Sequence, residues 1–288
     1  MEIAKLMSKV LKLQIKTSRL VDEVFGGAYH SAFKGKGLEF AELKKYEHGD
    51  DYRAIDWKAT AKFNSPFVKK FEEERELTIL FVLDISRSMD FGSKYSSKKE
   101  IVTELSAILQ FSALKNKDKL GAVFFDNNVK KYVKPAKGLK NSLVILRDYI
   151  ANSNLVFEKD YNEVIEHILK VQKRKAVVFF ISDFLGFESW HKLSLLNKKH
   201  DLICLRIKDI IEEECPEFFF GDVQSFNGDI YSVAHGDRAM YMNEYNSSEG
   251  KFNSNYKKYG IDFVDIFTHD DYIKKLRLFF KNRMLRRK

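Results

Sequence analysis

Cysteine is scarce in this sequence. Cys204 and Cys215 are the only two among 288 residues. Their separation does not match the spacing of metal-ligating cysteines, and two residues are too few for a disulfide-based scaffold. A low cysteine content without a disulfide framework is typical of proteins in a reducing compartment, so we expect a cytoplasmic location.

Long apolar runs are also missing. Stretches such as AVVFFI at 176–181 are far shorter than the about 20 residues that a transmembrane helix needs. The first 20 residues contain charges throughout and lack the apolar core and cleavage site of a signal peptide. We therefore expect no transmembrane segment and no signal peptide.

Several functional signatures are absent as well. The sequence contains no Walker phosphate-binding loop and no nucleic-acid reader motif, and its seven histidines have no ligand or triad spacing. The net charge of +9 comes from lysines spread among glutamates over the whole chain. We therefore expect no nucleic-acid partner. The basic segment at 274–288 predicts a solvated helix end, with an acidic partner or a membrane surface as the alternative.

What is present is the pattern of an α/β protein. With 44% hydrophobic and 32% charged residues, the chain can bury a sizeable core. From residue 77 onward, apolar strands alternate with helices, which predicts a doubly wound, mostly parallel sheet of the Rossmann type. The predicted strands are 77–84, 119–125, 129–133, 175–182, 201–207 and 261–267. The predicted helices are 97–115, 160–172, 188–199, one before the last strand, and one from about Asp270.

The ends of the chain differ from this central pattern. Residues 3–25 have the apolar spacing of an amphipathic helix that stops at Gly26 and Gly27. Residues 26–75 are rich in glycine, aromatics and charge, and they predict an irregular arm packed on the core. A small β-hairpin is predicted at 220–233, turning at Asn227 and Gly228. The prediction is thus an N-terminal helix and arm over 1–75, followed by a domain over 76–288.

Polar side chains follow two of the predicted strands. Asp84, Ser86 and Ser88 come directly after one apolar strand, and Asp183 comes after another. Ligands of doubly wound sheets bind at such strand ends, and an all-oxygen set suits Mg²⁺ or Mn²⁺. The alternative is structural, because the two serines could cap the following helix.

Two aspartates at strand ends also allow an enzymatic interpretation. A divalent-metal-dependent phosphohydrolase using Asp84 and Asp183 would resemble the haloacid-dehalogenase phosphatases. Those enzymes need an acid two residues after the nucleophile to protonate the leaving group. Ser86 occupies that position here, so the phosphohydrolase is the less favoured alternative.

The arm contains a second candidate site. Asp50, Asp51, Arg53, Asp56 and Trp57 lie within the segment GDDYRAIDW. One interpretation is internal, with the arginine paired to carboxylates and the tryptophan anchoring the arm on the domain. The competing interpretation is a docking surface for a partner protein.

These motifs resemble known families. The set Asp84, Ser86, Ser88 and Asp183 is similar to the metal-ion-dependent adhesion site of von Willebrand factor A domains. The stretches GKGLEFAELKKYEHGDDYRAIDWKATAK and FVKKFEEERELTILFVLDISRSMDFGS, with the later ISDF, resemble the bacterial domain of unknown function family 58. This resemblance implies an A-type fold, an adhesion-type metal site, and pairing with a MoxR-type AAA+ ATPase and with membrane-anchored A-domain proteins.

The sequence departs from the adhesion pattern at one position. Lys159 stands where relatives have a threonine ligand, and Asp160 lies beside it. An ammonium group in the site would repel a divalent cation or replace its charge, whereas Asp160 would strengthen metal binding. Both remain open from the sequence. We therefore predict a non-enzymatic interaction adaptor that acts with the AAA+ ATPase in protein maturation or stress tolerance.

Overall fold

The computed structural model describes residues 39–47, 50–63, 65–72, 76–93, 96–152, 156–214, 221–224, 230–233 and 238–286. The helix predicted over 3–25, the glycine pair that ends it, and the turn at Asn227 and Gly228 lie outside this part of the chain. Within it, every helix is too short or too polar to cross a membrane.

The arm is more regular than predicted. Strand β1 (Glu39–Lys45) pairs antiparallel with β2 (Phe67–Glu72). A 3₁₀ turn (Tyr52–Ala54) and helix α1 (Trp57–Phe63) lie between them. The prediction of an irregular arm is therefore wrong for these residues. Dense charge on both strands hides the polar-apolar alternation from which a strand is normally recognised.

The central sheet confirms the predicted fold class. Its six strands are β3 (Thr78–Asp84), β4 (Lys119–Phe125), β5 (Val129–Ala136), β6 (Val177–Ser182), β7 (Asp201–Lys208) and β10 (Asp262–Phe267). Their order in the sheet is β10-β7-β6-β3-β4-β5, and all neighbours are parallel except β4 and β5. A separate antiparallel pair, β8 (Gly221–Gln224) and β9 (Ile230–Val233), matches the two strands of the predicted hairpin.

Helices cover both faces of the sheet. They are α2 (Lys98–Lys115), α3 (Leu139–Ala151), α4 (Tyr161–Val171), α5 (Trp190–Lys199), α6 (Ile210–Glu214), α7 (Arg238–Lys258) and α8 (Tyr272–Arg286). Phe81 and Leu83 of β3 face a core shared with α2, α3 and α8. Leu80 and Val82 face a second core shared with α4, α5 and α7. The strand is thus buried on both sides, which explains its continuous apolar sequence.

Strand order determines where a ligand site can form. From β3 the chain first adds β4 and β5 on one side, and then β6, β7 and β10 on the other. The direction of winding therefore reverses between β3 and β6. In doubly wound sheets the crevice at this reversal, outside the carboxyl ends of the strands, is the usual binding position.

Candidate functional site

Two buried aspartates occupy this reversal point. Asp84 is the last residue of β3, and Asp183 directly follows β6. Because β3 and β6 are parallel neighbours, both carboxylates leave the sheet at the same edge. Both are buried, so each needs hydrogen bonds or a counter-charge inside the protein.

The serines of the loop supply part of this support. The Ser86 backbone N–H donates to Asp84 Oδ1 at 2.8 Å, and Ser88 Oγ donates to Asp183 Oδ2 at 2.6 Å. The two serine hydroxyls lie 3.1 Å apart. Ser182, which sequence analysis did not single out, donates to Asp84 Oδ2 at 2.6 Å. The structure thus brings all four predicted adhesion-type residues together.

The alternative role of the serines as helix caps is wrong. Ser86 precedes a 3₁₀ turn (Arg87–Asp90), but its side chain makes no capping hydrogen bond. Helix α2 is instead capped by Ser97, which forms a reciprocal capping box with Glu100. The hydroxyls of Ser86 and Ser88 are therefore available to the site.

Lys159 points into the site. Its ammonium group binds Asp183 Oδ1 directly and lies 3.4 Å from Asp84 Oδ2. The neighbouring Asp160 is exposed, and its carboxylate accepts a hydrogen bond from the Glu163 N–H at 2.9 Å. Asp160 therefore caps α4, while the lysine faces the two aspartates.

A second lysine lies behind the first. Lys98 is fully buried at the start of α2. Its ammonium group binds Glu212 and lies 3.5 Å from Asp183 Oδ2. Sequence analysis missed this residue, since lysines and a glutamate at the start of a helix look like an ordinary solvated first turn. The only available signal was indirect: two buried carboxylates require buried cations.

The opposite charges in the cluster stabilise one another, as the directions of their pKa shifts indicate. Burial raises the pKa of Asp84 above its ordinary value, although Lys159 opposes this. Burial also tends to raise the pKa of Asp183, but the ammonium groups of Lys159 and Lys98 and the Ser88 hydroxyl hold that pKa below its ordinary value. Burial would lower the pKa of Lys159, yet the two aspartates raise it overall. Lys159 and Asp183 therefore form an ion pair at neutral pH.

This arrangement does not fit a divalent metal. A magnesium ion needs free carboxylate oxygens directed at one point. Here both oxygens of Asp183 and both oxygens of Asp84 already accept hydrogen bonds or face an ammonium group. The predicted Mg²⁺ or Mn²⁺ would have to displace Lys159.

Exposed apolar side chains surround the cluster. Phe91, Phe157 and Leu185 come from three different loops at this edge, and they are 40%, 37% and 38% exposed. The Arg87 guanidinium lies 5.0 Å from the centre of the Phe157 ring. The Leu185 N–H donates to Asp183 Oδ1, which ties this loop to the buried charges. We call Phe91, Phe157 and Leu185 the apolar rim.

The acidic residues of the arm make local contacts. Asp51 accepts a hydrogen bond from the Arg53 N–H, and Asp56 accepts from the N–H groups of Lys58 and Ala59. These contacts cap the 3₁₀ turn and helix α1. Asp50 accepts from the Glu47 N–H at 2.9 Å. The carboxylates of the arm therefore stabilise its turns.

The aromatic residues of the arm face solvent. Trp57 is 72% exposed, so its predicted role as an anchor on the domain is wrong. Tyr52 and Phe63 are exposed as well. The Arg53 guanidinium lies 5.7 Å from the centre of the Tyr52 ring. The surface formed by these residues remains available to a partner.

Comparisons with known proteins place these features in one family. A family model described as "Protein of unknown function DUF58" matches residues 42–241. An uncharacterized protein of Mycobacterium bovis is 27% identical over 222 residues, which cover 76% of this chain and 69% of the relative. The family match runs from strand β1 of the arm to the start of helix α7 and stops before β10.

Solved structures with similar folds have low sequence identity. An aerotolerance-related membrane protein of Bacteroides fragilis matches 72% of this chain and 99% of its own, with 12% identity and a TM-score of 0.45. The SpRpn10 VWA domain, a von Willebrand factor A domain, matches 69% of this chain and 93% of its own, with 13% identity and a TM-score of 0.37.

Proposed function

Because this chain belongs to the DUF58 family, whose description names no activity, we propose a function from its own site. The protein is a non-enzymatic adaptor with a von Willebrand factor A-like domain. It binds a MoxR-type AAA+ ATPase through the loops at the carboxyl edge of the central sheet, in protein maturation or stress tolerance. The partner class comes from the family resemblance, and membrane-anchored A-domain proteins are further candidates.

One observation supports the location of the binding surface. Each residue of the apolar rim lies beside the buried charges: Phe91 ends the 3₁₀ turn that contains Ser88, Phe157 precedes Lys159 by two residues, and Leu185 donates its N–H to Asp183. Apolar side chains from three loops, held by a fixed polar base, give the kind of preorganised patch on which protein partners dock. Interaction sites of this kind need no chemical step at the loop.

The geometry is less suitable for hydrolysis. A nucleophilic carboxylate must present a free oxygen to its substrate. Asp84 is fully buried, and its two oxygens accept hydrogen bonds from the Ser86 N–H and the Ser182 hydroxyl. These contacts favour a structural role for Asp84 over the phosphohydrolase alternative.

Binding of the purified ATPase to the immobilised full chain tests the proposal. Leu185→Asp should weaken binding at least tenfold, because it places a charge in the apolar rim; a tenfold loss corresponds to about 1.4 kcal/mol. Leu195→Asp is the matched control, since Leu195 is 41% exposed on α5 and lies outside the rim. Equal loss in both variants, or no binding by the wild type, would refute the proposal.

A second variant separates the rim from the arm. Trp57→Ala removes an aromatic side chain of the arm that is 72% exposed and leaves the central sheet unchanged. We expect unchanged affinity in this variant. If Trp57→Ala abolishes binding while Leu185→Asp does not, the arm is the docking surface.

A further inference from the structure

The position of Lys159 is fixed by its neighbours in the chain. On its N-terminal side, the Val156 carbonyl accepts a hydrogen bond from the Arg87 N–H at 2.8 Å. On its C-terminal side, the Asp160 N–H donates to the Asp126 carbonyl at 3.0 Å, and Asp160 caps α4. The backbone is therefore held on both sides of the lysine. Its ammonium group is directed between Asp84 and Asp183, and the side chain is only 4% exposed.

The ammonium group of Lys159 contacts both carboxylates of the predicted metal set. It bridges the carboxylates of the two strand ends, β3 and β6, through Asp84 Oδ2 and Asp183 Oδ1. Asp183 in turn accepts from Ser88. A cation at this point thus holds the two buried carboxylates together and fixes the loop that contains the serines.

A divalent ion at the same point would meet two positive groups. Lys159 occupies the space between the carboxylates, and the Lys98 ammonium group lies 3.5 Å from the second oxygen of Asp183. At such distances inside a protein, repulsion between like charges is strong. Both aspartates also already have cations, because Lys159 lies against Asp84 and Asp183, and Lys98 lies between Asp183 and Glu212.

We propose that Lys159 is the resident cation of this site. Its ammonium group replaces a divalent metal, holds Asp84 and Asp183 together, and fixes the loop around Ser86 and Ser88 without an added ion. If the protein has the proposed function, the apolar rim forms without metal, and binding of the partner needs no added ion.

The proposal predicts that removing the lysine creates a metal site. Lys159→Thr leaves two buried carboxylates and adds a third hydroxyl, which together form an oxygen donor set suited to Mg²⁺ or Mn²⁺. Without metal, loss of a buried partner charge should lower the Tm of a chain of this length by about 5–8 °C. Millimolar MnCl₂ or MgCl₂ should restore most of this loss in the variant and leave the wild-type Tm unchanged.

The experiment combines thermal unfolding with calorimetric titration of MnCl₂ on the full chain, after removal of trace metal by chelation. Lys192→Thr is the matched control, because Lys192 pairs with Glu166 at the surface; it should neither lose much stability nor gain metal binding. Lys159→Arg retains a cation and should fold without metal. Lys159→Met removes the charge without adding an oxygen ligand, so metal should rescue it less than Lys159→Thr.

Two outcomes would overturn the proposal. One is binding of Mn²⁺ or Mg²⁺ by the wild type at millimolar concentration with an increase in Tm. The other is a folded Lys159→Thr variant that metal does not stabilise. If Lys159→Thr does not fold with or without metal, two other results test the proposal. The wild type should not bind Mn²⁺, and Lys159→Arg should fold without metal. These measurements use no ATPase, so they can succeed even if the proposed partner is wrong.

Discussion

Asp118 is a buried carboxylate without the cations that surround Asp183. It lies between α2 and β4, and its Oδ1 accepts a hydrogen bond from the Leu77 N–H at 2.9 Å. Its Oδ2 is buried and has no hydrogen-bond partner in the described part of the chain. Burial raises the pKa of Asp118 to about 7, although the bond from Leu77 opposes this. We expect Asp118→Asn to stabilise the protein at alkaline pH.

The size of the effect follows from the two pKa values. In the unfolded chain an aspartate has a pKa of about 3.9, so folding shifts the Asp118 pKa by about 3 units, and each unit corresponds to about 1.4 kcal/mol. The folded state binds the proton more tightly, so stability falls as pH rises from about 4 through about 7. Ionisation of Asp118 thus costs about 4 kcal/mol at alkaline pH. Asparagine cannot ionise, but its amide N–H would lack a partner and cost about 1–3 kcal/mol at every pH.

Urea unfolding of the wild type and Asp118→Asn at about pH 5 and about pH 9 measures the difference. At about pH 5 the wild type has already lost about 1.5 kcal/mol, so the two proteins should be close in stability, whereas at about pH 9 the variant should be more stable by about 1–3 kcal/mol. Asp160→Asn is the control, since its exposed capping carboxylate has no burial cost to remove. A stability difference between wild type and Asp118→Asn that is the same at both pH values would refute the reasoning.

Two further substitutions test the candidate site. Lys98→Met removes the buried ammonium group between Asp183 and Glu212 and should lower the free energy of unfolding by about 3–5 kcal/mol. The same change in an exposed lysine pair should cost about 1 kcal/mol or less. A small loss in urea unfolding would mean that the Lys98 ammonium group does not stabilise the cluster. Gly92→Ala should weaken ATPase binding and stability together, because its Cβ would lie 2.4 Å from the Ser96 carbonyl oxygen and push apart the loop that contains Phe91. Gly250→Ala is the control: nothing lies within 4 Å of the added Cβ, and the free energy of unfolding should rise by about 0.5–1 kcal/mol because the residue is in a helix. Wild-type behaviour of Gly92→Ala in both assays would contradict the steric argument.

Regular elements were predictable where hydrophobic burial alone fixes them. Strands β3 and β6 are apolar at nearly every position because they lie between two helix layers, and this pattern is visible without any structure. Helix α3 was missed entirely. It begins after Gly138, which provides no capping side chain, so the usual N-terminal signal is absent. Strands β1 and β2 of the arm were missed for a different reason, because charged residues obscure their alternation.

The sequence alone also placed Asp84, Ser86, Ser88 and Asp183 at strand ends, because a parallel sheet brings the carboxyl ends of its strands to one edge. What it could not decide was the direction of each neighbouring side chain. Whether Lys159 or Asp160 faces the aspartates depends on where α4 begins, and that is set by hydrogen bonds to residues far away in the chain.

The same limit applies to the lysine behind the site and to the tryptophan of the arm. Lys98 lies in a run of charged residues that looks solvated, yet packing of α2 against the sheet buries its ammonium group beside Asp183. Trp57 is a large aromatic residue of the type that anchors a segment on a domain, but its side chain faces solvent. The presence and burial of the central strands follow from local hydrophobic patterns. The pairing of buried charges depends on contacts between residues distant in sequence, and only the tertiary structure determines those.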